Sequence, residues 1–487
     1  MNSLLMLGRS RYSIFLTALF LFLSALPLFS QRPNIILILA DDLGWRDVGY
    51  MGSRFYETPS IDRLAASGMV FTDAYANAPN CAPSRAALLT GLYAPRTGIY
   101  TVNSPARGRS IYRRLIPAPN KTVLDTSFVT IAEALRKNGY VCASIGKWHL
   151  GDPPLFGPEA QGFDLNVAGW HSGHPKSYFS PYHNPYLPDG PEGEYLTDRL
   201  TAEAEMFIER NKDRPFFLYF PHYAVHTPLQ AKDSLIDLFR GRPPDGGQHH
   251  AVYAAMIRSL DESVGRLMHK LDELHLRERT LVIFFSDNGG VWGITSNAPL
   301  RGAKGMLYEG GIREPLIIAW PGHIPAGSRS SYPVIGTDLY PTLLAITGTP
   351  RPPAFHPDGI DLSRLLLKGK EPGRRDLFWH FPAYLERMRG MPALWRTTPV
   401  SAIRHGHWKL IRFWETNTSE LYDLEKDIGE QQDLSAVHPR VKARMERRLD
   451  RWLKKTRAPL PLKKNPQFDE KAYLQKLNEI KQENHEK

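Results

Sequence analysis

The feature that most constrains the fold of this chain is an apolar run that ends in charged residues and recurs along the sequence. Residues 34–44 read NIILILADDLG, an unbroken stretch of isoleucine and leucine followed by two aspartates and a glycine. Such a run is typical of a parallel strand that is buried on both faces and opens into a loop at its carboxyl end. The same design recurs in VCASIGKWHLG at 141–151, FFLYFPHYAVHTP at 216–228 and TLVIFFSDNGG at 280–290. Because ligands collect at such strand ends, we expect the four ends to converge on one site.

Helical patterns separate these predicted strands. Apolar residues recur at helical spacing in SIDRLAASG at 60–68, TIAEALRKNG at 130–139 and AVYAAMIRSLDESVGRLMHKLDEL at 251–274. Strands that alternate with helices indicate an α/β fold. The sequence therefore predicts a large mixed, mostly parallel sheet sandwiched by helices.

A different pattern begins after residue 370. Residues 401–430 alternate short strands with turn signals, which predicts an antiparallel meander. An amphipathic helix follows, with apolar positions that face inward at Val441, Met445, Leu449, Trp452 and Leu453. We expect an N-terminal catalytic domain at 31–370, a smaller C-terminal α+β subdomain built on an antiparallel sheet at 371–460, and a polar tail at 461–487.

The first thirty residues have the composition of a secretory signal peptide. Arg9 and Arg11 precede the apolar run YSIFLTALFLFLSALPLF, and the charged chain begins at QRPN. We therefore expect a signal peptide at 1–30 and a secreted or periplasmic protein with no stable membrane span once the signal is removed. An uncleaved membrane anchor is the alternative, because the small-residue cleavage pattern is imperfect.

Charge and cysteine content narrow the function classes. Lysine and arginine number 61 against 50 acidic residues, a formal net charge of +11 that favours anionic partners, and no nucleic-acid motif accompanies it. Only Cys81 and Cys142 are present, so at most one disulfide could form. Cys142 lies in a predicted buried strand and is interpreted as a small core hydrophobe. Cys81 lies in NAPNCAPSRAALLTG, directly before Ala-Pro-Ser-Arg.

Oxygen ligands follow two of the predicted strands. Asp41 and Asp42 end the first, and Asp287 and Asn288 end the fourth. This all-oxygen set suits Ca²⁺ or Mg²⁺ rather than zinc. Taken alone, ADDLG is equally typical of a solvated loop or a helix cap, and the second strand end favours the metal site.

The segment CAPSRAALLTG at 81–91 resembles the signature of type I formylglycine-dependent sulfatases, Cys-x-Pro-Ser-Arg followed by Thr-Gly. The segments ADDLGW, GKWHLG, HTPLQ, SDNGG and LRGAKGMLYEGGIREP are similar to other sulfatase blocks and follow in the same order, over roughly residues 33 to 430. The resemblance is to the arylsulfatase and N-acetylgalactosamine sulfatase branch of the alkaline phosphatase superfamily. It implies an alkaline-phosphatase-like fold and a sulfuric ester hydrolase.

The resemblance also implies a modified residue and a metal ion. Cys81 would be converted to 3-oxoalanine, also called Cα-formylglycine, by a formylglycine-generating enzyme or an anaerobic sulfatase-maturating enzyme. One Ca²⁺ per chain would be held by Asp41, Asp42, Cys81, Asp287 and Asn288. Such an aldehyde, once hydrated, offers one hydroxyl to attack sulfur and a second to expel sulfate afterwards.

Further roles follow from the same resemblance. Arg85 would stabilise the hydrate, and His149 would be the base that opens it after sulfation. Lys147 and Lys304 would neutralise sulfate oxygens, and His226 or Lys304 would protonate the leaving oxygen. The substrate-binding set would be Lys147, His226, Lys304, Ser172 and His174. Taken singly, such histidines are more often structural hydrogen-bonders, and His222 is interpreted equally as a sugar contact or as a buried polar side chain.

The substrate implied is a sulfated carbohydrate, with a galactose or N-acetylgalactosamine sulfate preferred. The basic positions Arg107, Arg109, Arg113 and Arg114 could bind neighbouring anionic groups or form a solvated loop. Trp379, His380 and Trp395 could stack on sugar rings or pack in the core. Two alternatives remain: a formylglycine-dependent phosphonate monoester or phosphodiester hydrolase, and a non-catalytic sulfoglycan-binding protein with unmodified Cys81.

Overall fold

The computed structural model describes residues 32–485, so the signal peptide expected at 1–30 lies outside the described residues. The strands are β1 Asn34–Ala40, β2 Met69–Phe71, β3 Ala74–Tyr75, β4 Val141–Ile145, β5 Leu165–Val167, β6 Phe216–Pro221, β7 Thr280–Ser286, β8 Leu316–Ala319, β9 Ser328–Ser330, β10 Val334–Ile335, β11 Asp376–Phe381, β12 Leu385–Glu386, β13 Trp395–Thr397, β14 Val400–His405, β15 Trp408–Phe413 and β16 Thr418–Asp423. The α-helices are Pro59–Ala66, Cys81–Thr90, Ala94–Thr97, Ile131–Lys137, Leu196–Arg210, Asp233–Ile236, Ala251–Glu273, Glu309–Ile312, Leu339–Thr347, Ser363–Lys368, Pro439–Lys455 and Glu470–His485. Within this described range, no helix combines the length and apolar character needed to cross a membrane.

The central sheet has eight strands in the order β5-β4-β6-β1-β7-β8-β2-β9. β4, β6, β1 and β7 are neighbours and run parallel, whereas β8 is antiparallel to both β7 and β2. The sheet is therefore mixed and mostly parallel, as predicted. The four strands recognised from the sequence lie side by side, so their carboxyl ends share one edge.

Both faces of this sheet are covered by helices, which explains the unbroken apolar runs. Ile36 and Ile38 of β1 pack in one core cluster with residues of the helices Leu196–Arg210 and Ala251–Glu273. Ile35 and Leu37 pack in the opposite cluster. That second cluster includes residues of the helices Cys81–Thr90, Ile131–Lys137 and Leu339–Thr347. Successive side chains of β1 point to opposite faces of the sheet, and both faces are buried. Every residue of β1 is therefore buried from solvent.

The C-terminal region forms a second sheet of four antiparallel strands in the order β11-β14-β15-β16. The helix Pro439–Lys455 packs on it through Met445, Leu449, Trp452 and Leu453, which are buried, while Val441 is partly buried. This arrangement confirms the predicted antiparallel meander and its covering helix. The buried apolar residues of this sheet and helix form one hydrophobic cluster, which we call the C-terminal cluster. It also includes Leu307 and Ile312, so the second sheet packs directly against the loop and helix that follow Lys304.

Residues 461–487, expected to be a polar tail, include the helix Glu470–His485. Ile480 of this helix is fully buried in the C-terminal cluster, and Tyr473 and Leu477 pack against the same cluster. These three positions lie on one helical face, because residues three and four apart are neighbours on a helix. The high charge of the segment hides this narrow apolar stripe.

Candidate active site

The carboxyl edge of the four parallel strands brings the predicted oxygen ligands together. Asp41 and Asp42 follow β1 directly, and Asp287 and Asn288 follow the adjacent β7. All four side chains are buried. Asp42 has a left-handed backbone with φ of 61°. Its amide lies 3.3 Å from Asp287 Oδ1, a contact that joins the two strand ends.

Cys81 begins the helix Cys81–Thr90 and lies against this carboxylate group. Its Sγ is 3.9 Å from Asp42 Oδ1, and only 1% of the residue is exposed. Burial raises the pKa of the Cys81 thiol to about 12. The sulfur is therefore held as a neutral thiol and is unsuited to thiolate nucleophilic chemistry.

The donor atoms of Asp41, Asp42, Cys81 and Asp287 all lie within 4.8 Å of one another. Asp41 Oδ1 and Asn288 Oδ1 are buried without a hydrogen-bond partner among the residues described. Burial, together with the like charges of Asp287 and Asp42, raises the pKa of Asp41 to about 7. Carboxylate and amide oxygens that accept no hydrogen bond in such a cluster fit a hard divalent cation of the Ca²⁺ class.

Three basic side chains reach the same carboxylates from other elements. Lys147 follows β4, and its Nζ lies 2.6 Å from Asp41 Oδ2. Both side chains are completely buried. Arg85 on the signature helix pairs with Asp287 at 2.7 Å and donates from Nη1 to the Lys147 carbonyl at 2.9 Å.

Lys304 approaches from the loop that follows β7 and pairs with Asp42. Burial by itself would raise the pKa of Asp42, but Lys304, His226 and Lys147 hold this pKa below its ordinary value. Lys304 also lines the cavity above the carboxylates, whereas Lys147 and Arg85 lie beneath it.

Two of the predicted histidines line the same cavity. His226 Nε2 lies 3.5 Å from Asp42 Oδ2, and its Nδ1 lies 2.8 Å from the Thr227 carbonyl. Burial and the nearby charge of Lys304 lower the pKa of His226 to about 3. His149 is almost fully buried, and its Nδ1 has no hydrogen-bond partner within the described chain. Burial and the charges of Lys147 and Arg85 lower the pKa of His149 far below its ordinary value. Both imidazoles are therefore neutral and able to accept a proton.

The weaker candidates separate into cavity residues and core residues. Ser172 and His174 line the cavity, and the His174 ring stacks on His226 with centroids 6.0 Å apart. Ser172 Oγ donates to the His174 carbonyl at 2.8 Å, so it fixes the loop that carries His174. His222 is fully buried behind the site, 3.3 Å from Ser263 Oγ, and belongs to the core.

The aromatic candidates for sugar stacking pack in the core instead. Trp379 is fully buried and donates to the Ala76 carbonyl at 2.8 Å. His380 is buried with its Nδ1 2.7 Å from Ser401 Oγ, and Trp395 packs against Tyr384. None of these three lines the cavity that contains Cys81. Trp379 and His380 are therefore core residues, and Trp395 lines a separate cavity.

The cavity has a volume of about 650 Å³, which suits a sugar or an aryl group with one neighbouring group. Cys81, Asp42, His149, His226 and Lys304 line one end of it. Sequence reasoning missed several further lining residues: Asn103, His171, Lys176, Met388 and Arg396. Arg396 lies on β13 in the C-terminal region, far from every recognised block, so no local signal marks it.

Comparison with known proteins adds independent information. A family model described as Sulfatase matches residues 33–349. A second one, described as N-sulphoglucosamine sulphohydrolase, C-terminal, matches residues 303–458. A protein named Sulfatase from Formosa agariphila is 35% identical, over 88% of this chain and 90% of its own. Human N-acetylgalactosamine-6-sulfatase is 36% identical, over 70% of this chain and 67% of its own. The solved structure of Ps i-CgsB in complex with k-i-k-neocarrahexaose superimposes with a TM-score of 0.73 at 34% identity, over 87% of this chain and 93% of that one.

Proposed function

This chain belongs to the sulfatase family and is a sulfuric ester hydrolase, and on that premise we propose that it removes sulfate from carbohydrate esters through an aldehyde formed at Cys81. The observation that carries the proposal is the position of Cys81. It lies at the base of a cavity, against a cluster of buried carboxylates, with a neutral histidine and a lysine along the cavity wall. A thiol with a raised pKa is a poor nucleophile at this position, whereas a hydroxyl group formed at residue 81 would be able to attack the sulfate ester.

Formation of the aldehyde converts the Cys81 side chain from CH₂SH to CHO. The change is a two-electron oxidation in which sulfur leaves as H₂S and one oxygen is gained, and the maturation enzyme supplies the oxidant. Because only 1% of Cys81 is exposed, we propose that this enzyme acts on the chain before it folds. The hydrated aldehyde would supply two hydroxyl groups on one carbon, one to attack sulfur and one to expel sulfate when the carbonyl reforms.

The residues around Cys81 support both halves of this reaction. Lys304 and His226 line the cavity beside Asp42, where either could protonate the oxygen of the departing sugar. Lys304 carries its proton in the free site, whereas the neutral His226 would first take one up when the anionic ester binds. His149 is neutral and has an unpartnered Nδ1, so it could accept the proton of the second hydroxyl. These assignments divide acid and base between different groups, as two successive proton transfers require.

Positive charge beneath the cavity would stabilise the anions that form during the reaction. Arg85 and Lys147 are fully buried on the carboxylates Asp287 and Asp41. A buried cation in a water-poor site acts on developing negative charge more strongly than one in water. We propose that Arg85 acts on the hydrate and that Lys147 and Lys304 act on sulfate oxygens.

We propose that Asp41, Asp42, Asp287, Asn288 and the oxygen formed at residue 81 hold one Ca²⁺. Asp41 Oδ1 and Asn288 Oδ1 accept no hydrogen bond within the described chain, and Arg85 Nη2 is 3.8 Å from Asp41 Oδ1, which supports this assignment. When bound, the ion would lower the pKa of a hydroxyl group at residue 81 and offset charge on the sulfate ester. The chain itself supplies the oxygen donors, and the neighbouring strand ends hold these donors close to one another.

For the substrate we propose a galactose or N-acetylgalactosamine sulfate within a glycan. The cavity volume of about 650 Å³ and its basic lining suit an anionic sugar. The relatives named N-acetylgalactosamine-6-sulfatase favour a galactose-type ring. The signal-like composition of residues 1–30 favours a secreted or periplasmic enzyme.

The test is a mass spectrum of the peptide that contains residue 81, taken from protein purified from its native host. An aldehyde would give a mass about 18 Da below the cysteine form. Sulfate release from sulfated galactose oligosaccharides is measured on the same preparation. Protein that releases sulfate while residue 81 is an unmodified thiol would contradict the aldehyde mechanism. Unmodified and inactive protein from that host would instead favour a sulfoglycan-binding role.

A further inference from the structure

Two arginine side chains line the catalytic cavity without an acidic partner. Arg107 and Arg396 come from distant parts of the chain and both line the cavity that contains Cys81. Among residues 32–485, neither guanidinium lies within 4.0 Å of a carboxylate oxygen. Arg107 Nη2 donates to the Val102 carbonyl at 2.7 Å, and Arg396 Nε is buried with no hydrogen-bond partner in that range. Most of their donors are therefore available to a ligand.

Packing holds both side chains in place. Arg113 Nη1 donates to the carbonyls of Ala106, Arg107 and Gly108, which fixes the loop around Arg107. The Arg396 side chain lies against Gly305, where an added Cβ would come within 2.6 Å of Arg396 Cδ. Gly305 also has φ of +90°, so both space and backbone conformation favour glycine beside Lys304. Arg396 is therefore held next to the lysine that faces Asp42.

The acidic groups near Arg107 and Arg396 do not neutralise the positive charges of the two guanidinium groups. Burial lowers the pKa of Arg107, and burial together with the like charge of Arg107 lowers the pKa of Arg396. Asp42 and Glu386 act in the opposite direction, but Asp42 is already paired with Lys304 and Glu386 is exposed. Two like charges held together in a partly buried wall are stabilised when an anion lies between them.

The other basic residues of the same segment are accounted for elsewhere. Arg109 is exposed and lies over the Tyr112 ring, 5.4 Å from its centroid. Arg114 lies over Phe468 at 4.8 Å and over Tyr473 at 5.0 Å. Of the four arginines in this segment, Arg107 alone is among the described residues that line the cavity.

We propose that Arg107 and Arg396 bind a second anionic group of the glycan, a sulfate or a carboxylate, next to the ester that is hydrolysed. The proposal rests on the proposed function of the site. A guanidinium offers two parallel donors to a sulfate or carboxylate, so a group bound by both arginines would be held in a defined orientation. The preferred substrate is then a multiply charged glycan, and the second anion fixes which sugar enters the cavity.

The test compares sulfate release from oligosaccharides of one sugar sequence that carry one sulfate, two sulfates, or one sulfate and one uronate. Wild-type protein with a verified aldehyde at residue 81 is assayed beside Arg107→Met, Arg396→Met and the corresponding lysine variants. Arg109→Met is the matched control, because it removes the same charge from the same segment outside the cavity. Melting temperatures verify that each variant is folded.

We expect wild-type protein to prefer one of the doubly charged substrates by kcat/KM, mainly through KM. In each methionine variant, the ratio of kcat/KM for the doubly charged substrate to that for the singly charged one should fall about tenfold, the size expected for one charge-assisted contact. In each lysine variant, this ratio should fall less. Arg109→Met should retain the preference. The substrate whose preference depends on the arginines identifies the second anion as sulfate or carboxylate.

The outcomes separate this proposal from the proposed function. Sulfate release with no preference for a second anion, or a preference that the methionine variants leave intact, overturns the subsite and leaves the sulfatase mechanism standing. The same holds if Arg109→Met loses as much preference as Arg107→Met. No sulfate release from any substrate by aldehyde-bearing protein overturns the proposed function and this proposal with it.

Discussion

The ammonium of Lys304 lies across both carboxylate oxygens of Asp42, 2.6 Å from Oδ1 and 2.7 Å from Oδ2. The same carboxylate lies 3.5 Å from His226 Nε2 and 3.9 Å from Cys81 Sγ. Asp42 thus joins the residue proposed to become the nucleophile to the two groups proposed to protonate the leaving oxygen. A change at Lys304 should therefore affect both catalysis and cation binding, in opposite directions.

Lys304→Ala should lower kcat/KM for sulfate release by about 10²- to 10³-fold, because it removes one preorganised charge from the developing anion. Calcium affinity should increase, since the variant removes a cation that occupies Asp42. Sulfate release and calorimetric titration with Ca²⁺ measure the two effects. Lys212→Ala, at an exposed position, is the control. A Lys304→Ala enzyme with activity near wild type would exclude Lys304 from the sulfate pocket.

Removal of the metal should lower both activity and melting temperature. Asp41, Asp42 and Asp287 are buried together, and a bound cation offsets their repulsion. At a free Ca²⁺ concentration about 100 times Kd, binding contributes about 2.7 kcal/mol to the free energy of unfolding. Thermal melting and sulfate release are measured after chelation and after addition of Ca²⁺ or Zn²⁺, and Ca²⁺ should restore both. Asp42→Asn, whose amide tolerates the left-handed backbone at this position, should need more Ca²⁺ for the same melting temperature.

His149→Ala should slow the second half of the reaction more than the first. Without a neutral imidazole to accept the proton of the second hydroxyl, sulfate should remain attached at residue 81. The measurement is a mass spectrum of that peptide after brief exposure to substrate, and the covalently bound sulfate should be absent from wild-type protein. General-base removal typically costs about 10²- to 10⁴-fold in rate. Equal slowing of substrate cleavage and sulfate release, with no bound sulfate, would assign His149 to another step.

The fold and the convergence of the acidic strand ends could be predicted because both depend on the apolar runs and the residues that follow them. The apolar runs specify strands buried on two faces, and parallel strands place their carboxyl ends on one edge. Asp41 and Asp287 follow two such runs, so their proximity in the sheet follows from the strand order alone.

The rest of the site depends on contacts that no local pattern contains. Arg396 reaches the cavity because the C-terminal region packs against the loop after Lys304. His222 and His226 have similar local sequence signals, yet one packs in the core and the other lines the cavity. The turn after β6, set by its tertiary neighbours, makes that difference.

Lys409→Met should destabilise the protein, and more so at pH 8 than at pH 5. Lys409 Nζ lies 2.8 Å from both Glu309 Oε1 and Glu430 Oε1, and all three side chains are fully buried. Burial would raise the pKa of Glu309, but the positive charges of Lys409 and Arg313 hold it at about 2. Burial raises the pKa of Glu430 to about 7. Leaving a buried charge unpaired costs about 3–5 kcal/mol.

The sign of the pH dependence follows from the lost charge. Without Lys409, the folded-state pKa of Glu309 rises from about 2, so this carboxyl loses stabilisation that is present above the unfolded value of about 4.3, and the pKa of Glu430 rises further above that value. A carboxyl group with a raised folded-state pKa favours folding below the unfolded pKa and loses this contribution as pH rises. Denaturant unfolding at both pH values measures the deficit. Lys426→Met, which removes an exposed ammonium group 3.5 Å from the carboxylate of Asp423, should cost under about 1 kcal/mol.

The C-terminal helix should contribute to stability despite its charged sequence. Ile480 is fully buried in the C-terminal cluster, whereas Leu474 on the same helix is 50% exposed. Ile480→Ala should therefore destabilise the protein by about 2–5 kcal/mol, because it removes buried methyl groups and leaves a cavity. Leu474→Ala should change stability by about 0.5 kcal/mol or less, as is usual for an exposed site. Thermal melting of both variants is the measurement. Since Tyr473 and Leu477 of this helix pack against the same cluster, an Ile480→Ala variant that melts like wild type would show that the helix adds little to the packing of the C-terminal cluster.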